Sequence, residues 1–313
     1  DYDKMTILFK GYGKHFESKL IDVFVKLVLK LTDEETLSII SSIVFSIAEY
    51  NTVKELTVKQ KWESLSYSLC LYKLLTKCIQ IFKTPFCKVA IFSFKLGLLC
   101  LQNESDLSIT CQFNQEPPNK KIRLDNDSID EEKNERENDI NLEKQWLIAR
   151  SNYIMKVMSL TFKYHEIYER KNNKKLIDTS MFTSLLDGIF YSIKKADIIR
   201  NESEFIEYIE KYVTTTVVAL ADVTRNNNLW NTLNEKVLDI STSKNVLLRR
   251  AAVDILLGLF SFMKHAWLFT LTHTMHKIDE LLKDNDEDVE QRTKHLVRAI
   301  QSITNRELTE SMN

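Results

Sequence analysis

The sequence predicts an all-α protein built from helical hairpins stacked side by side. Three observations carry that expectation. The 313 residues include only 5 Gly and 3 Pro, too few for the tight turns and corners of a sandwich, a barrel or a Rossmann-type sheet. Apolar residues recur at helical spacing through most of the chain. The C-terminal hairpins repeat one another at a fixed shift.

The elements follow in order. Phe16, Leu20, Phe24, Leu27 and Leu31 mark one face of a first helix. A capping-type run, Thr32-Asp33-Glu34-Glu35, opens a second from about Glu34 to Tyr50. A third covers about Val58 to Phe82, and Pro85 suits the start of a fourth that ends near Leu101. These make an N-terminal helical part, residues 1–101. The text then turns polar. Residues 103–143 hold twelve acidic and five basic side chains, so 102–141 is expected to be a disordered acidic insertion carrying a basic motif. The C-terminal part, 142–313, predicts helices at about Leu142–Arg170, Asp178–Lys195 and Ser203–Thr224. Four more follow at about Leu229–Ile240, Val246–Met263, Trp267–Lys283 and Asp286–Asn305.

The repeat lies in the last two hairpins. A shift of 41 residues places Leu248 on Val289, Val237 on Ile278 and Ile240 on Leu281. It also places Ala252 on Thr293, Leu256 on Val297 and Leu259 on Ile300. Two helices per 41-residue unit is the pattern of the HEAT/armadillo class, an α-α solenoid. One hairpin cannot bury its apolar face alone, so its neighbours must stack on it. Ala251 and Ala252 are small enough to let adjacent helices approach.

Composition narrows the function classes. The net charge is −1, which gives no general affinity for nucleic acid. Outside the acidic segment the body carries about +6, a mildly basic balance. Cys70, Cys78, Cys87, Cys100 and Cys111 show no CxxC spacing, and four sit in apolar helical text as small buried hydrophobes. That usage fits a reducing compartment. The opening "DYDKMTILFKGYGK" lacks the apolar run of a secretory signal, and no stretch is long and uncharged enough to span a membrane. The first residue is Asp, so the chain reads as a piece of something longer.

The candidate chemical sites are few. Alternating Asp284, Asp286 and Asp288 invite a calcium loop. Its sixth position would need Gly and its twelfth a bidentate Glu, where the chain has Val289 and His295. These acids instead suit the turn inside a hairpin, next to a helix N-terminus. His273 and His276 lie one turn apart without converging further ligands, so no metal is expected. The chain has no GxxxxGK, HExxH or GxSxG, and neither catalysis nor a cofactor is expected. Tyr153, Phe162, Tyr164, Tyr168, Phe205, Tyr208 and Tyr212 stand at the helical spacing of packing residues. Two groups stand out. Lys120, Lys121 and Arg123, in "PPNKKIRLD", have the spacing of a monopartite nuclear import signal in flexible chain. Arg249, Arg250, Asp284, Asp286 and Asp288 are candidates for a partner-facing surface, with Arg249 expected to bond the turn of the neighbouring hairpin. Trp230 is expected in the core.

One resemblance gathers these observations. "LWNTLN" supplies Trp230, Leu233 and Asn234; "LLRRAA" supplies Leu248, Arg249 and Ala251; "IDELLKDNDEDVE" runs from Ile278 to Glu290; and "LVRAIQSITNRELTESMN" closes the chain. This order resembles the C-terminal region of the very large HEAT-repeat protein of the small-subunit processome, the nucleolar assembly that builds the small ribosomal subunit. It covers about residues 178–313 and is faint over 16–101. Thr232 stands where that family often has Pro, and Arg306-Glu307 where it often has Gly-Glu. The resemblance implies a scaffold in ribosome biogenesis that supports pre-ribosomal RNA processing. Its partners would be other processome proteins, pre-ribosomal RNA or a small nucleolar ribonucleoprotein, and a nuclear import receptor, in the nucleus and nucleolus. A nuclear transport receptor or another HEAT-repeat adaptor is the alternative.

Overall fold

The computed structural model describes residues 126–172 and 175–311, together with parts of 19–38 and 69–81. All regular structure among the described residues is helical. The chain divides into two compact units, Asp1–Val157 and Met158–Asn313. The boundary falls inside a helix.

That helix, α1, runs from Asn126 to Lys163, and α2 follows from His165 to Asn172. Helical backbone therefore occupies 126–141, which the sequence led us to expect as disordered chain; 102–125 lie outside the described residues. The reason is local. Asn126 and Asp127 supply a polar start, and the Glu, Lys and Arg that follow are good helix formers despite their polarity.

In the first unit, the helical stretch 72–81 buries Tyr72, Leu75, Cys78 and Ile79. Lys77 Nζ meets Asp22 Oδ1 at 2.6 Å. Burial pushes the Cys78 thiol up to about 12, so this cysteine is an inert core group. The other four cysteines lie outside the described residues.

The second unit is a stack of hairpins. The first pairs α3 (Thr179–Ile199) with a long second arm, made of α4 (Glu202–Tyr208), a π-helical segment (Ile209–Val213) and α5 (Thr214–Thr224). The second pairs α6 (Asn227–Ser241) with α7 (Val246–Met263). The third joins a 3₁₀ segment (Lys264–Thr270) and α8 (Leu271–Leu281) to α9 (Glu287–Ser311). First arms touch first arms, and second arms touch second arms: α3 on α6 on α8, and α5 on α7 on α9. This is a HEAT-like solenoid arrangement.

Capping residues set the boundaries. Asp178 accepts from Met181 N, and Asn201 forms a reciprocal capping box with Glu204. Asn226 and Asn245 cap α6 and α7 in turn. Arg225 turns the chain between hairpins in the left-handed region, at φ 39°.

The core sits along the middle of the stack. α7, flanked on both sides, buries Leu248, Ala251, Ala252, Ile255, Leu256, Leu259 and Phe260. The 41-residue correspondence holds in burial: Val237 and Ile278, Ile240 and Leu281, Leu248 and Val289, Leu259 and Ile300 are all buried. Leu256 is buried, while its counterpart Val297 is half-buried. Thr293 stands where Ala252 does, and its hydroxyl donates to Val289 O at 2.7 Å, which satisfies it locally. Trp230 is buried, and its Nε1 donates to Ala221 O at 2.8 Å, tying α6 to the end of α5.

Candidate functional site: the turn edge and its charge network

The turns inside the hairpins share one chemistry. Ser243 Oγ accepts from Asn245 N at 3.1 Å, and Asn245 Oδ1 accepts from Leu247 N at 2.8 Å. In the next hairpin Asp284 Oδ1 accepts from Asp286 N at 2.9 Å, and Asp286 Oδ1 accepts from Val289 N at 3.1 Å. The two pairs are related by the same 41-residue shift. Short polar side chains folded onto their own backbone explain both turns.

Contacts then run from turn to turn. Asn245 Nδ2 donates to Asp197 Oδ2 at 2.5 Å, reaching the end of α3. Arg249 reaches the other way and grips Asp284 in a bidentate pair, Nε to Oδ2 at 2.6 Å and Nη2 to Oδ1 at 2.8 Å. Its Nη1 also donates to the carbonyls of Ser243 and Lys244, both at 3.1 Å. One guanidinium thus closes its own turn and the next one. Arg249 and Asp284 are 16% and 8% exposed. The hydrogen bond from Arg249 holds the Asp284 carboxyl below its ordinary value, against the opposing effect of burial. The same bond holds the Arg249 guanidinium above its own.

A second network lies one turn inward and crosses the second arms of all three hairpins. Arg250 Nη1 meets Asp288 Oδ2 at 2.6 Å. Arg292 Nη1 meets Asp254 Oδ1 at 2.5 Å, and its Nη2 meets Glu210 Oε1 at 2.8 Å. Longer approaches join Arg250 to Glu210 at 3.9 Å and to Asp254 at 4.0 Å, and Arg292 to Asp288 at 3.6 Å. Asp254 is the buried centre, 6% exposed. Burial raises its carboxyl to about 6, and the two arginines only partly oppose that. Burial also works against the Arg292 charge, but Asp254 and Glu210 overcome it and hold the guanidinium above its ordinary value.

Glu210 reaches this network from the π segment, where a wider turn changes the face that follows. Close packing lets it arrive. A Cβ on Gly258 of α7 would stand 2.4 Å from Thr214 Cγ2, the first residue of α5. A side chain at this position would collide with the Thr214 methyl packed against it.

The structure thus places the partner-surface candidates along one edge. Arg249 and Asp284 pair with each other, Asp286 caps α9, and Arg250 pairs with Asp288, whose side chain is 50% exposed. Sequence reasoning missed Glu210, Asp254 and Arg292. The available signal was Asp254 itself, a carboxylate inside the apolar run "AAVDILLGLF" and four residues from Arg250. Lys120, Lys121 and Arg123 lie outside the described residues. Among the described residues no cluster of His, Cys, Asp and Glu is arranged to hold a metal, and no helix is long and apolar enough to cross a membrane. What the arrangement does is mechanical: it fixes the register of neighbouring hairpins and leaves Glu210 and Asp288 half-exposed at its rim.

Comparison with known proteins adds partial likenesses. No protein-family model matches the chain. Over 91 residues the chain is 31% identical to the U3 small nucleolar RNA-associated protein 10 of Schizosaccharomyces pombe, which covers 29% of this chain and 6% of that protein. Over 94 residues it is 31% identical to the HEAT repeat-containing protein 1 homolog of Dictyostelium discoideum, covering 30% of this chain and 4% of that protein. The matched part is therefore a small fraction of the length of these curated relatives. Their names describe a small nucleolar RNA-associated protein and a HEAT-repeat protein, and neither name is that of an enzyme.

Proposed function

We propose that this chain is a non-catalytic scaffold segment of the small-subunit processome, acting in ribosome biogenesis and pre-ribosomal RNA processing. The observation that supports it most is the 31% identity with a protein named for its association with U3 small nucleolar RNA. The stacked hairpins supply the mechanism. The second hairpin's turn is tied to the first hairpin through Asn245 and Asp197 and to the third through Arg249 and Asp284, so docking positions along successive helices keep fixed spacing. A partner bridging several hairpins then finds its contacts already placed, at little ordering cost. The partners are other processome proteins, with pre-ribosomal RNA or a small nucleolar ribonucleoprotein alongside. Lys120, Lys121 and Arg123 would engage a nuclear import receptor, which places the work in the nucleus and nucleolus.

The test is to tag the protein in its own cells, locate it, and sequence the RNA and identify the proteins that co-purify. Concentration in nucleoli with precursor ribosomal RNA is the expected result. A diffuse cytoplasmic signal without such RNA would remove the reading. Recovery of transport cargo in place of processome proteins would move the chain to the nuclear transport receptors or other HEAT-repeat adaptors.

A further inference from the structure

The third hairpin carries a stacking face whose counterpart in the second hairpin is covered. Trp230 of α6 lies 5.6 Å from the Trp267 ring and 5.8 Å from the Phe269 ring, and Asn234 Oδ1 accepts from the Thr274 hydroxyl at 3.2 Å. Trp230, Asn234 and Ser241 of α6 are buried, as are Val253, Leu256 and Phe260 of α7. The 41-residue shift carries these positions to Leu271 and Met275 of α8, Leu282 at its C-terminal cap, and Lys294, Val297 and Gln301 of α9. None of these counterparts is buried. Met275 is 40% exposed, Gln301 is exposed and the others are half-buried.

The exchange is uneven between the two arms. On α9, Lys294 and Gln301 stand where α7 has Val253 and Phe260, as the outer face of a terminal unit requires. Lys294 is held by Glu290 of its own helix. On α8 the exchange runs the other way. Met275 stands where α6 has a buried Asn, and Leu282 where it has a buried Ser. A face meant only for water gains nothing from that change, whereas a contact face does.

The repeat also indicates what fits. One interface earlier, a hairpin covers these positions, first arm on first arm and second arm on second arm. A second copy of this chain offers no matching free surface among the described residues. The faces by which α6 and α8 meet their predecessors are occupied, and α3 buries Phe182, Leu185, Leu186, Ile189, Phe190 and Ile193. We propose that Leu271, Met275, Leu282 and Val297 dock an antiparallel pair of amphipathic helices from a partner protein, which extends the stack by one unit. The partner's apolar seam lies on α8, and its more polar helix lies on α9. This deepens the scaffold reading by giving a partner class, and rests on that reading only for where the partner is met.

The test places a benzoylphenylalanine photocrosslinker at Met275 of the tagged protein in its own cells. The same probe at Ile198, 75% exposed on α3, is the control. Mass spectrometry identifies the joined peptides. The expected product joins position 275 to one partner, within a segment of two amphipathic helices, and is missing from the Ile198 sample. That partner, purified, is then titrated with the 313-residue chain. Met275→Glu with Val297→Glu is expected to lower affinity about tenfold or more, and the milder Met275→Ala roughly threefold. Ile198→Glu is expected to stay within about twofold of the parent. Circular dichroism checks that each variant is folded. A crosslink to a second copy or to an extended segment, equal yield at Ile198, no crosslink at all, or undiminished binding of both Met275 variants would each overturn the proposal. A hairpin partner from outside the processome keeps the docking face and removes the scaffold assignment. Nucleolar residence with precursor ribosomal RNA but no crosslink at position 275 removes the docking face alone.

Discussion

Gly258→Ala is the sharpest probe of how the charge network is assembled. The new methyl would stand 2.4 Å from Thr214 Cγ2 and 3.4 Å from Val218 Cγ2. Ordinary carbon contacts lie near 3.5–4.0 Å, so the Thr214 contact alone needs more than an ångström of movement. The strain falls first on the Thr214 side chain, at the start of α5 directly after the π segment that carries Glu210. Overpacking a tight core costs about 1–3 kcal/mol, and the better helix propensity of Ala returns at most about 1. A net loss of about 1–2 kcal/mol is expected. Thr214→Ala should reverse it, because it removes the methyl in the way and also a hydroxyl that is buried without a hydrogen-bond partner. Urea unfolding of the parent, both single variants and the double variant closes the cycle, with coupling expected to exceed about 1 kcal/mol. If Gly258→Ala is as stable as the parent, or if Thr214→Ala fails to rescue it, the Thr214 methyl is not what reserves this position on α7 for glycine.

Further predictions follow from the ion pairs and the basic motif. Asp284→Ala strands the Arg249 guanidinium and frees the α9 turn, and should cost about 2–3 kcal/mol in urea unfolding; a loss below about 0.5 would dismiss the turn-to-turn tie as a stabilising element. Asp254 has its carboxyl raised from 3.8 to about 6 by burial, so the folded state holds its proton more firmly than the unfolded chain does. The stability it contributes is full below about pH 4 and is lost as pH rises through 6, an effect on the order of 2–3 kcal/mol. Thermal melts from pH 4 to 7 should therefore show Asp254→Asn gaining on the parent as pH rises, and parallel curves would contradict the burial argument. Asp284 has the opposite sign: its lowered carboxyl stabilises above the ordinary value near 3.8 and loses that contribution as pH falls further, so Asp284→Asn should close the gap with the parent in acid. Lys120→Ala with Lys121→Ala should weaken nuclear entry of a fluorescent fusion of this chain, and unchanged import would dismiss the motif.

The fold was legible where periodicity and caps agree. The expected helix Val246–Met263 coincides with α7, because Asn245 caps its first turn and an apolar stripe follows. The deviations from α geometry were not legible. Phe205, Tyr208, Ile209, Val213 and Val217 are all buried, and their spacing reads as one ordinary helix. A π turn inserts a residue without leaving a gap in that stripe. The 3₁₀ segment was similarly hidden, since Trp267 and Thr270 fit the inner face of either helix type. The start of α1 was missed for the reverse reason. Charge-rich text with few apolar residues carries no stripe, although its residues favour helix.

Of the candidate site, the local half could be read and the distant half could not. The turn residues belong to the repeat, since the 41-residue shift sets Ser243 beside Asp284 and Asn245 beside Asp286, while Arg249, which the shift carries to Glu290, stood out through its place in "LLRRAA" at the start of the helix. The inner network does not repeat: the same shift carries Arg250 to Gln291 and Asp254 to His295. Its partners are brought together only by stacking, across 38 residues for Arg292 and Asp254 and 82 for Arg292 and Glu210. This division bears on where a partner docks. A carboxylate 8% exposed and held by two guanidinium nitrogens, as Asp284 is, has little left to offer another molecule. The accessible acids of the inner network are Glu210 and Asp288, each already facing arginines. A basic partner would have to compete with Arg250 and Arg292 there. The turn edge is therefore better suited to holding the hairpins in register than to docking a basic partner.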